Sequence, residues 1–425
     1  MGLTKKIQLS FLLSFLFVCK TKAFSACPGY LWAADLPKSF LEANSENIKL
    51  FTADKKGRFK ELAFQLDRLS SEGILKEKKT SSPLKNLSSY DRLTMQPEKF
   101  ARKSKSGPLP CGEKNFLILK NTQGGYAYLA FCKKQAAIKK LLSYPVRRQK
   151  ASPIVESEFF SYRHKSDHLL LFDSIKIKDG GIWRQVAKEA DMLLHLDVKN
   201  FFTFHLDYHN MSATLEKKHQ GLMGITHNLA FYIHLLFFTI DLKLSTLFSF
   251  FKDTAHAPMK FDIPVNAKKR LHVGSGILLH WMPAEAKPLY KSKHFTTPLA
   301  DPDSILKGAN INAKVGLKNC IGDTCLFKSY FAVGAKKFMI ATKVAKDYVK
   351  LGFFPQFVLD IPRFIKKMDW LSDPFDIRPD IDKRLGIFFH NANLPKGRHQ
   401  IDHWFYVAED PKMECPQKIK IIYKT

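Results

Sequence analysis

His205-x-Asp207-x-His209 is the run whose residue types and spacing come nearest to chemistry. On a strand, alternate side chains share a face, so these three would project together. Imidazole and carboxylate two residues apart can chelate zinc or a similar divalent ion. All three cannot converge on one ion unaided, because at ~3.3 Å per residue the outer two stand ~13 Å apart. His195-x-Asp197 is a similar pair just upstream, and on a neighbouring strand it would face the first. The candidate catalytic residues are therefore His205, Asp207 and His209, and the candidate divalent-metal ligands are those three with His195 and Asp197. A solvated polar strand face would give the same pattern.

Other chemistry finds little footing. HExxH, the G-x-S-x-G elbow, the Walker A loop and the dinucleotide fingerprint are all missing. Three S-x-x-K matches lack the companion motifs of penicillin-binding enzymes. Asp369, Asp373, Asp376, Asp380 and Asp382 form an acidic stretch without calcium-loop spacing, which reads as a turn satisfying nearby lysines. Whether the chain is an enzyme stays open at this point.

The cysteines say more about setting. Lys5 and Lys6 precede an apolar run from Ile7 to Val18, and Ala23 offers a cleavage point, so residues 1–23 read as a secretory signal peptide. Cys19 leaves with it. A lipid on Cys27 is the rival reading, weakened by Phe24, Lys20 and Lys22. Six cysteines in an exported chain imply disulfides. Cys111 and Cys132 flank an expected hairpin, and Cys320 and Cys325 close a tight turn. Cys27 and Cys415 are left to tie the two ends together.

These residues need elements to hold them. Phe59, Leu62, Ala63, Leu66 and Leu69 fall at helical spacing, and Ile182 to Met192 reads as a short helical stretch. Residues 76–107 read as a long loop, and Gln135–Leu142 as a short helix. Phe202, Phe204, Leu206 and Tyr208 alternate as one strand face, with a bulge expected at Asn210. Leu229–Phe251 is very apolar but carries His234, Asp241 and Lys243, which favours buried strands over a membrane helix. Further strands are expected at 260–265, 270–273, 276–281, 313–319, 326–333, 337–342 and 357–359. Residues 385–390 and 399–407 read as a hairpin, and 418–423 as a closing strand.

The resulting fold class is α+β and β-rich. It is mainly antiparallel sheet, as a sandwich or partly open barrel, behind a smaller helical or mixed N-terminal region. The expected division is 1–23 signal peptide, 24–110 helical or irregular region, 111–180 stapled hairpin and connecting segment, and 181–425 β-rich domain.

Composition bounds the function. Across 425 residues, 68 lysines and arginines face 39 acids, a formal charge of +29. Cleavage after Ala23 removes four lysines and no acid, leaving +25. Such a surface attracts anionic partners. No nucleic-acid motif accompanies the charge, so nucleic acid is not the expected partner. A mean hydropathy of −0.19 excludes a polytopic helical membrane protein. The reading is a secreted or periplasmic cell-envelope protein, with a peripheral place at the outer membrane as one form of it. Its expected role is non-catalytic binding or structural, toward lipid headgroups, acyl chains or acidic polysaccharide. The alternatives are a secreted hydrolase of envelope polymers or lipids, metal-dependent or not, and an outer-membrane β-barrel.

Overall fold

Apolar–polar alternation governs most of the chain. In Thr324–Val333, Cys325, Phe327, Phe331 and Val333 enter one core, while Leu326 and Lys328 turn the other way. In Lys336–Ala345 the run Phe338-Met339-Ile340-Ala341 is continuous instead, because both faces of that strand are covered. The computed structural model describes residues 27–42, 44–71, 74–76, 86–101, 103, 109–111, 116–132, 147–148, 154–166, 168–200, 203–221, 223–235, 238–263, 266–307, 309–370, 380–390, 393–408, 415 and 417–422.

Two nine-stranded antiparallel sheets dominate. The first runs in space Pro355–Val358, Leu385–His390, Gly276–Pro283, Ile182–Asp197, Phe172–Asp179, Phe160–His164, Ile154–Glu156 and Arg147–Arg148. Thr203–Leu206 also pairs with Ile182–Asp197. The second runs Met211–Gln220, Ile225–Leu235, Phe238–Phe250, Thr254–Ile263, Gly397–Ala408, Lys336–Ala345, Thr324–Val333 and Lys287–Pro288, with Cys320–Ile321 paired to Thr324–Val333. Phe160, Ile175, Met192 and Ile387 of the first sheet share one core with Phe231, Phe248, Ile340 and Ile401 of the second. The sheets therefore stack as a sandwich, open at its edges and filled by side chains. Among the described residues nothing closes into a barrel.

Each sheet also has a covered outer face. The helix Ile361–Lys367 lays Ile361, Phe364 and Ile365 on Leu193, Leu278 and Phe388 of the first sheet. The second is covered by the N-terminal segment, where Cys27, Tyr30 and Cys415 gather with Met339, Trp404 and Tyr406. Gly29–Trp32, Arg92–Met95 and Phe64–Asp67 form a three-stranded sheet. Ile48–Ala53, Phe59–Leu62, Phe116–Asn121, Tyr126–Phe131 and Ile419–Ile422 form a five-stranded one, and the two small sheets share a core.

The three disulfides are Cys27–Cys415, Cys111–Cys132 and Cys320–Cys325, the pairing expected from spacing. No helix among the described residues is long and apolar enough to cross a membrane. The apolar stretch at 229–251 is two paired strands, Ile225–Leu235 and Phe238–Phe250.

Several element expectations fail. Residues 59–69 form strands rather than a helix, because their apolar side chains serve two different small cores. Ile182–Asp197 is one long strand, bent by a bulge where Glu189 takes φ 52°. The expected loop at 76–107 contains the strand Arg92–Met95. Residues 270–273 follow a helical turn instead of forming a strand, and 313–319 fall largely in the helix Ala309–Leu317. Leu385–His390 and Gly397–Ala408 belong to different sheets, so they cross the sandwich and form no hairpin. The first sheet takes strands from before residue 181, and Ile419–Ile422 joins the N-terminal sheet. The helix expected at 135–142 lies outside the described residues.

Candidate functional site

His195 and His205 meet because their strands pair in register, His195 opposite His205. Their Nδ1 atoms lie 3.1 Å apart, so one ring donates and the other accepts. His195 is 5 % exposed, and its ring stacks on Trp370 at 5.1 Å and 14°. Trp370 is held in turn by donating Nε1–H to the Gly274 carbonyl. Burial, then the adjacent His205, push the His195 imidazole down to about 4. It is therefore neutral at pH 7, the form that accepts a proton or ligates a metal.

The other predicted ligands do not converge. The strand ends at Leu206, and Asp207 caps the 3-10 turn Tyr208–Asn210 by accepting from the His209 and Asn210 amides. That turn replaces the bulge expected at Asn210. His209 is exposed and packs on Tyr208. Asp197 accepts from the Thr203 hydroxyl, and its amide donates to the Ser275 hydroxyl. The expectation that His205, Asp207 and His209 share a strand face is thus corrected, because a carboxylate immediately past a strand end is better placed to cap a turn. No group of three or more metal-ligating side chains suited to an ion occurs among the described residues. What forms is a hydrogen-bonded pair of imidazoles at the end of the sheet.

A basic loop borders it. The turn Ala267–Arg270 and residues 271–275 wrap the sheet end beside Asp197. The His272 amide donates to the Asp197 carbonyl, and the Lys199 amide to that of Arg270. Gly274 takes φ 107°, which a side chain would resist. Lys268, Lys269, Arg270 and His272 are exposed.

Sequence reasoning missed three groups. His390, 1 % exposed, lies opposite Gly276, which is itself opposite His195; neither ring nitrogen of His390 has a hydrogen-bond partner among the described residues. At the Glu189 bulge, Arg384 reaches the carboxylates of Glu189, Asp191 and Asp380, and Lys165 bonds Asp191 at 2.8 Å. On the second sheet, the Tyr30 hydroxyl bonds His256 Nδ1 at 3.0 Å, and His256 stacks on Trp404 at 3.7 Å and 11°. Asp402 stands 3.5 Å from His256 Nε2, while the Arg92 guanidinium lies over the Tyr30 ring and pairs with buried Asp67 at 2.7 Å. Burial holds His256 at about 4, so its contact with Asp402 is dipolar at neutral pH. The only sequence signal for these groups is a polar residue inside an apolar strand pattern. Their partners lie far apart along the chain.

No family model matches the chain, and no curated protein matches it in sequence. Among solved structures, one likeness is to a human-microbiome protein proposed to be a kojibiose phosphorylase. It has 8 % identity and a TM-score of 0.19, and covers 67 % of this chain and 29 % of that one. This chain therefore spans less than a third of that protein, and a likeness this weak carries no argument about activity.

Proposed function

We propose that this is an exported cell-envelope protein that binds anionic envelope components without catalysis. Three disulfides fit an exported chain. The observation that carries the binding role is how charge is divided between inside and outside. The most buried carboxylates, Asp67, Asp91 and Asp191, are each held by an internal cation, Arg92, Arg68 and Lys165 respectively. The cationic excess is displayed outward, on turns such as 55–60 and 268–272.

The test is association of the processed protein with dextran sulfate and with vesicles containing phosphatidylglycerol, measured against ionic strength. Binding that weakens steeply with salt is expected. No binding, or binding indifferent to salt, overturns the reading. The second reading, a metal-dependent hydrolase, rests on the His195–His205 contact alone. A stoichiometric transition metal lost on His205→Ala would favour it.

A further inference from the structure

We propose that the loop 267–273, together with Leu306, is a membrane-docking surface for an anionic phospholipid bilayer. The inference rests on the binding role above and assigns its partner and its place. Four observations converge on it.

First, the cations have no ion-pair partner among the described residues. Lys268, Lys269 and Arg270 follow one another, all exposed, and none has an ion pair with a described carboxylate. The described acids bordering this surface have other partners: Asp197 accepts from the Thr203 hydroxyl, and Asp301 and Asp303 are held within their own neighbourhood. Asp303 pairs with Lys367 at 2.7 Å, and Asp301 caps its own helix and accepts from the Ser304 hydroxyl.

Second, aliphatic surface is exposed beside them. Val273 is 44 % exposed and Leu306 43 %. They are neighbours in space, since a Cβ on Gly274 would lie 3.6 Å from Leu306 Cδ2. Lys307, next to Leu306, is exposed as well.

Third, the loop is held in shape. The Ala267 amide donates to the Leu394 carbonyl, Leu271 to Ala267, His272 to Asp197 and Ser275 to His272. Lys199 Nζ donates to the Lys268 carbonyl, and Trp370 to that of Gly274. Little ordering entropy is therefore lost when it docks.

Fourth, the combination selects the partner. Cations flanking exposed aliphatics match a surface with anionic headgroups over an apolar interior. An acidic polysaccharide satisfies the charges but leaves Val273 and Leu306 with nothing to bury against.

The experiment is flotation of the full processed protein with phosphatidylcholine vesicles, with and without phosphatidylglycerol. K268A/K269A/R270A is expected to weaken partition by on the order of 100-fold, at roughly fivefold per cation near the surface. V273D should weaken it by about tenfold through lost apolar burial. K55A/K56A/K60A, in the exposed hairpin of the small N-terminal sheet, removes the same charge and should change partition less than about threefold. Thermal melts confirm that each variant folds.

Equal losses from the two triple variants, or no loss from the loop variant, overturn the docking site while leaving the general binding role intact. Binding to dextran sulfate without binding to vesicles does the same. Failure to bind either one overturns both.

Discussion

The two large sheets each bury one histidine flat against a tryptophan on their outer face, and they use it differently. His256 on Trp404 is enclosed by Asp402 of the same sheet and by Tyr30 and the Arg92–Asp67 pair, which are carried by the N-terminal strands packed on that sheet. His195 on Trp370 bonds the His205 ring at the end of its sheet, within reach of the Asp197 and Asp369 charges and beside a loop whose cations have no ion pair with a described carboxylate. The same stack thus belongs to a polar lock in one place and to a sheet end beside a basic loop in the other, although both rings are 5 % exposed. A ring's chemistry follows from what closes the rest of its shell. Full enclosure makes the group structural, and an incomplete shell leaves it available.

The largest effect that could break this comparison comes from Arg92→Leu. It leaves the Asp67 carboxylate buried with no cation, and a stranded charge of that kind costs about 3–5 kcal/mol. Urea unfolding should show that loss. A change under ~1 kcal/mol would mean that the second-sheet network is no lock. Opening Cys27–Cys415 should act in the same direction, by about 2–5 kcal/mol, since it closes nearly the whole chain.

Acid comes next. His195, His256, His390 and His403 are each held down to about 4 from 6.5, burial being the first cause in every case. The unfolded chain then binds more protons between pH 6.5 and 4, so the stability these groups contribute is present above 6.5 and lost as pH falls through 4. Glu98, raised by burial to about 7, acts oppositely, its contribution being lost as pH rises from 4.5 through 7. Four groups outweigh one, so the melting temperature should fall between pH 7 and pH 4.5. His256→Gln should flatten that slope by up to about 1.4 kcal/mol per pH unit. A melting temperature that rises on acidification would contradict the assignment.

Much of the fold was legible because strand alternation and cysteine spacing are local signals. The hairpin between Cys111 and Cys132 announced itself through Gly124-Gly125 and its flanking apolar runs. Residues 59–69 misled because a strand serving two cores places apolar residues on both faces, which mimics a helical stripe. Ile182–Asp197 misled for a related reason, since the Glu189 bulge breaks its period. Of the site, the His195–His205 meeting was readable from two x-spaced pairs on consecutive strands. Trp370 was not, because it arrives from 175 residues away on a face that only the folded sheet defines.

The smaller effects separate the two histidines directly. Tyr30→Phe deletes the hydroxyl that satisfies His256 Nδ1 and leaves that buried nitrogen unpaired, which should cost about 1–3 kcal/mol. His205→Gln takes the partner from His195 at a half-exposed position where water can substitute, so it should cost well under ~1 kcal/mol. It should nonetheless be visible in a titration. Removing a neighbouring imidazole that holds His195 down should move its ring upward, with burial still keeping it below 6.5. Proton-detected titration of the His195 ring would record that shift. An unchanged His195 beside an equally destabilised protein would place both stacks in the same structural role and erase the distinction between the sheets.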